Sequence, residues 1–152
     1  MKGRVLMSFG AGLLLAAGIA RGQAQGPYQF YGLAPCRIVD TRNPSGPVGG
    51  PSLTGNSTRN FPIVGYCNVP STAKAVTLNV TVVGPTASGY VAIYPVGTPS
   101  TTSNINFPAI PNSIANAVVT LLAAGTNNVT AQYASNGPGT ANLLIDVSGY
   151  FQ

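Results

Sequence analysis

Hydroxyls and amides aside, residues 25–152 offer very little for chemistry: two carboxylates, four cations and two thiols. Asp40 and Asp146 are the only acids, because the chain has no Glu. It also has no His and no Trp. A Ser-His-Asp or Cys-His nucleophilic unit is therefore excluded within this chain, as is a zinc site built on imidazole. A glycoside hydrolase working through paired carboxylates would have to bring Asp40 and Asp146 to either side of one bond. A calcium site would rest on the same two carboxylates, too few for a hard cation without main-chain help. The expectation is a non-catalytic chain with no metal and no cofactor.

The surroundings of these few groups narrow their roles. Pro35-Cys36-Arg37-Ile38-Val39-Asp40-Thr41-Arg42 gathers Arg37, Asp40 and Arg42 into one short segment. One reading is a polar binding site in which Arg42 reaches a ligand. The favoured reading is internal support, with Asp40 accepting main-chain N–H groups and pairing with an Arg. Asp146 lies in Leu143-Leu144-Ile145-Asp146-Val147, where a carboxylate among apolar neighbours needs a partner. Arg37, Asp40, Arg42 and Asp146 are thus expected to be structural polar residues. Cys36 and Cys67 are expected to form a disulfide, with two buried free thiols as the alternative. Tyr90 and Tyr94 share one strand face. That pair is either a stacking platform for a sugar or cover for the second face of a sandwich. Tyr90, Tyr94 and Arg42 are the candidate binding residues.

The elements that must position these groups follow from periodicity. Val76 to Val82 alternates strictly, apolar at even and polar at odd positions, as in a strand with one buried face. Further strands are expected at Gly89–Val96, Ser103–Phe107, Asn116–Ala123, Val129–Tyr133 and Asn142–Phe151, with weaker ones at Arg37–Asp40 and Arg59–Val64. In the last long strand, alternation places Ile145, Val147 and Phe151 on one face and Asp146 with Tyr150 on the other. Gly84 to Gly89, Gly125 to Asn128 and Ser135 to Gly139 carry turn chemistry. About eight short strands at this spacing predict an all-β fold, an antiparallel β-sandwich with one disulfide. Residues 43–56 read as a Pro/Gly loop without strand signal.

Residues 1–24 read as a secretory signal. Lys2 and Arg4 precede an uncharged run from Val5 to Ala20, and Gly22-Gln23-Ala24 offers a cleavage site. Cleavage is expected after Ala24, with Ala20 as the alternative, leaving 25–152 as a single domain. The uncharged run is shorter than the ~20 residues of a spanning helix, and the mature chain shows no membrane span. Losing Lys2, Arg4 and Arg21 lowers the formal charge from +5 to +2. The remaining cations make no basic stripe, so nucleic acid is not expected as a partner. Ten Ser, 14 Thr and 13 Asn hold the polar positions of residues 25–152 instead. Such a surface resists self-association weakly.

Several segments together carry a resemblance. They include Pro35 to Arg42, Gly46 to Pro51, Tyr66-Cys67-Asn68-Val69-Pro70, Leu78 to Val82, Pro85 to Tyr90, Tyr94-Pro95, Ser103 to Phe107, Ala115-Asn116 and Leu144 to Phe151. As a set the chain resembles a family of small secreted bacterial β-modules without an assigned activity, often in tandem or appended to larger exported proteins. The resemblance implies an extracellular, Cys36–Cys67-bridged, non-catalytic domain and supplies no ligand. The expected function is recognition or adhesion at the cell envelope, with a cell-surface glycan as partner. The apolar arm Tyr28, Phe30 and Tyr31 is expected to pair with a sheet edge of its own chain. The alternative function is a structural subunit, with copies of this chain as partner, in which the arm is donated to a neighbour to build a fibre or layer.

Overall fold

The computed structural model describes residues 27–109 and 113–152. The expected leader over 1–24 and its cleavage point lie outside them. The described chain is all-β, with nine strands in two antiparallel sheets packed face to face. One sheet runs in the order β1 (Phe30–Asp40), β9 (Thr140–Phe151), β4 (Ala75–Val83) and β7 (Ser113–Leu121), with β2 (Leu53–Thr54) also on β9. The other runs β3 (Ser57–Pro62), β8 (Asn128–Ser135), β5 (Gly89–Pro95) and β6 (Ile105–Phe107).

The strict alternation of β4 decides its orientation. Val76, Leu78, Val80 and Val82 are buried, while Thr77, Asn79 and Thr81 face outward. Phe61, Val91, Ile93, Val129, Ala131 and Tyr133 meet them from the second sheet in one apolar cluster. Burying these side chains removes apolar surface from water, the main favourable term in holding two sheets together. Cys36 of β1 is bonded to Cys67, with Cα atoms 5.9 Å apart. The crosslink ties an edge strand to the loop after β3. Restraining a loop of this length in the unfolded chain contributes roughly 3.5 kcal/mol.

Three expectations need correction. First, β1 begins at Phe30, not Arg37, because Phe30, Tyr31 and Gly32 pair with Phe151, Tyr150 and Gly149. The apolar arm is taken up within the chain, as expected, and Gln29 and Gln152 exchange main-chain hydrogen bonds beyond it. Second, the stretch 43–56 contains β2, held by pairing to Thr140 and Ala141, a long-range contact that a two-residue run cannot announce. Third, the alternation of β9 slips at Ser148. Thr77 pairs with Gly149 and Leu78 with Val147, so Ser148 is an extra residue. Such a bulge reverses the face of everything beyond it. Tyr150 therefore lies opposite inward Val76 and packs against the core, stacked on Tyr31 at 5.2 Å. Phe151 turns to the other face with Phe30, their rings also 5.2 Å apart.

Candidate functional site

The four charged residues singled out in the sequence lie together where β1 meets β9. Arg37 stands opposite Asp146 in the ladder. Its Nε donates to Oδ1 at 2.8 Å and its Nη2 to Oδ2 at 3.1 Å. This is the two-pronged geometry that guanidinium and carboxylate favour. Asp40, buried at the end of β1, accepts from the Arg42 N–H at 3.1 Å, from Nε at 2.8 Å and from Nη2 at 2.6 Å. Arg37 Nη1 also lies 3.7 Å from Asp40. The Arg42 side-chain hydrogen bonds hold the Asp40 carboxyl below its usual range, against the opposing effect of burial. The same bonds raise Arg42, and bonding to Asp146 raises Arg37.

Asp40 and Asp146 thus converge on Arg37. A cleft of about 450 Å3 opens beside this cluster, lined by Arg37, Asp40 and the turn 43–49. The cluster's two carboxylates are each engaged by a guanidinium, while Arg37 keeps N–H groups beyond these contacts.

Arg59 carries a role that the sequence reading missed. It lies on the inward-facing register of β3 beside Phe61, with its guanidinium carbon 4.6 Å from the centre of that ring. Nη1 donates to Pro51 O at 2.8 Å, and Nη2 to Gly46 O at 2.6 Å and Gly50 O at 3.2 Å. Burial pushes its pKa down, though an arginine remains charged. The signal was its even spacing from Phe61: an arginine on a core-facing register needs acceptors, and residues 46–51, without a polar side chain, have only carbonyls to give.

The outer face of the second sheet holds a different kind of site. Thr58 lies opposite Gln132, and Asn60 opposite Thr130, across β3 and β8. Tyr94 of β5 lies opposite Thr130 from the other side. These side chains and the turn 96–100 line an open groove of about 500 Å3. Thr130 donates to Asn60 Oδ1 at 2.8 Å, fixing that amide. The Tyr94 hydroxyl lies 3.4 Å from Gln132 Oε1, a long contact that leaves most of its capacity free. None of the lining side chains is charged.

The candidate binding residues are therefore not brought together. Tyr94 lines the groove. Tyr90 shares its sheet face but lies beyond the groove, opposite Ala134 and Asn106. Arg42 lies in the turn after β1, beside the other sheet, with its guanidinium engaged by Asp40. Thr58, Asn60, Thr130 and Gln132 were not singled out, because Thr, Asn and Gln recur along the whole chain and only pairing register collects these four. Among the described residues no helix is long and apolar enough to cross a membrane. Comparison of this chain with protein-family models, with curated proteins and with solved structures gives no match to any of them.

Proposed function

We propose that this chain is a secreted, non-catalytic β-sandwich module that recognises a neutral glycan at the cell envelope through the Tyr94 groove. The observation that carries this reading is the groove lining. One half-buried phenol ring stands among Thr58, Asn60, Thr98, Ser100, Thr130 and Gln132, with no charge. A tyrosine ring offers an apolar face to the C–H side of a pyranose, and hydroxyls and amides both donate to and accept from sugar hydroxyls. A crosslinked sandwich presents these groups on a rigid sheet, which limits the ordering cost of binding. The disulfide fits an oxidising compartment, and the leader and the resemblance to secreted β-modules support export. The resemblance and the absence of His and Glu support the non-catalytic assignment.

Titration calorimetry against soluble neutral polysaccharides, following a glycan array, tests the proposal. Tyr94→Ala and Gln132→Ala should each weaken binding by about tenfold or more, the loss of one stacking or polar contact. Arg42→Ala should leave it unchanged. Affinity should barely move up to about 1 M salt, since no ion pair takes part. Binding confined to anionic polymers, or binding insensitive to Tyr94→Ala, overturns the assignment.

A further inference from the structure

The first sheet ends in a strand that lacks the usual protection of an edge. Among the described residues β7 pairs with β4 alone. Leu122 N–H donates to Lys74 O at 2.8 Å just past the end of the ladder. In an antiparallel ladder this makes Thr120 a residue whose main-chain groups face β4. Those of Ala117, Val119 and Leu121 then point away from the sheet. Ala117 shows the consequence, because its N–H turns to its neighbour's side chain, Asn116 Oδ1, at 3.0 Å. Val119 has no such cover, and Leu121 has only a long contact to its carbonyl from Thr120 Oγ1 at 3.4 Å. Their side chains are 67% and 55% exposed, the two highest values among the large apolar residues.

Edges are normally blunted by proline, charge, bulges or shortness. The other three main edges of this sandwich are. On β1 stand Pro35, Arg37, the Cys36 crosslink and two register breaks. On β3 stand Arg59 and Pro62, and β6 has only three residues. By contrast β7 is nine residues long, without proline, without charge and without a break in its register.

We infer that β7 is a self-association edge: two copies of this chain pair β7 to β7 antiparallel about a two-fold axis near Val119–Leu121. The second copy is the occupant because the strand is complementary to itself. An antiparallel β7 pair sets no like charges opposite one another. It joins the outward main-chain groups of Val119 and Leu121 in one copy to those in the other and brings their exposed side chains together. The contact is also closed. A fibre would need a second bare edge to receive β7, and β1, β3 and β6 do not offer one, so assembly stops at two. The two five-stranded sheets become one continuous sheet. The inference is independent of the Tyr94 groove, which lies on the other sheet.

The test is the mass of the protein produced from the full-length sequence in an exporting host, by sedimentation equilibrium and light scattering. At roughly 100 µM the expected mass is that of two chains. The double variant Val119→Lys/Leu121→Lys, at two well-exposed positions, should weaken association by about a hundredfold. Asn79→Lys, one strand in from the edge, should remain dimeric, as should Tyr94→Ala. Amide exchange in the unmodified protein gives a second reading that needs no variant: the Val119 and Leu121 N–H groups should be protected at high concentration and exchange freely on dilution. A monomer at about 100 µM overturns the inference. So does a dimer that survives the two lysines, a dimer abolished by Asn79→Lys, a mass that grows beyond two copies, or a β7 edge occupied by a foreign peptide.

Discussion

Arg59 holds the long Pro/Gly turn by donating to three main-chain carbonyls of residues 46–51. Hydrogen bonds from a charged donor contribute more than neutral ones, and a carbonyl left without its partner loses that contribution. Arg59→Ala is therefore expected to lower stability by about 2–3 kcal/mol. The amides of residues 46–50 should exchange faster, with β4 and β9 unaffected. Arg59→Lys should recover little, because one ammonium cannot reproduce a fork that spans separate carbonyls. Urea denaturation with amide exchange checks both. At this scale the sequence was legible where charge had to be neutralised locally. Arg42 lies two residues from Asp40 and bonds to it, and the Arg37–Asp146 pair answers the need created by a carboxylate among apolar neighbours. It was opaque where an arginine is answered by carbonyls, since every residue carries one and none is marked.

Strands whose side chains keep strict period two were readable from the sequence, and those set by long-range pairing were not. The run from Val76 to Val82 gave β4 with its correct inner face, because each apolar residue is buried and each polar one is not. In β9 the same logic failed beyond Val147, because a bulge leaves no local mark except the glycine that follows it. Gly149 is the residue that permits the arrangement. The Phe30 ring lies over it, and a Cβ there would collide with that ring and approach Tyr31 O to 2.8 Å. Gly149→Ala is expected to cost about 1–3 kcal/mol as the aromatic ring is displaced. The same substitution in a Phe30→Ala background should cost less, though not nothing, since the Tyr31 carbonyl remains. A double-mutant cycle by chemical denaturation measures the coupling. Equal costs in the two backgrounds would show that Phe30 is not what the glycine accommodates.

The whole molecule carries so few ionisable groups that its response to pH reduces to named residues. There is no His and no Glu, and both cysteines are bonded, so the terminal amine aside no group has its ordinary titration between about pH 5 and 8. Stability should be flat across that range. On the acid side Asp40 decides. Its folded pKa is depressed by Arg42, so the unfolded chain takes up the proton first as pH falls. The stabilisation is complete above the unfolded value near about 4 and is lost progressively below it. On the alkaline side the fully buried Tyr133 decides, its hydroxyl donating to Ala87 O at 2.8 Å. Burial raises its pKa, so the unfolded chain loses the proton first and stability falls as pH climbs past about 10. Thermal melts across the pH range should trace a broad plateau with two shoulders, and each shoulder has its own variant. Asp40→Asn should lower the plateau by about 2 kcal/mol, the loss of a charge-assisted bond, and flatten the acid shoulder. Tyr133→Phe should lower it by about 1 kcal/mol and move the alkaline shoulder alone. A step near neutral pH, or an acid shoulder that persists unchanged in Asp40→Asn, would contradict this assignment of the molecule's proton-linked stability.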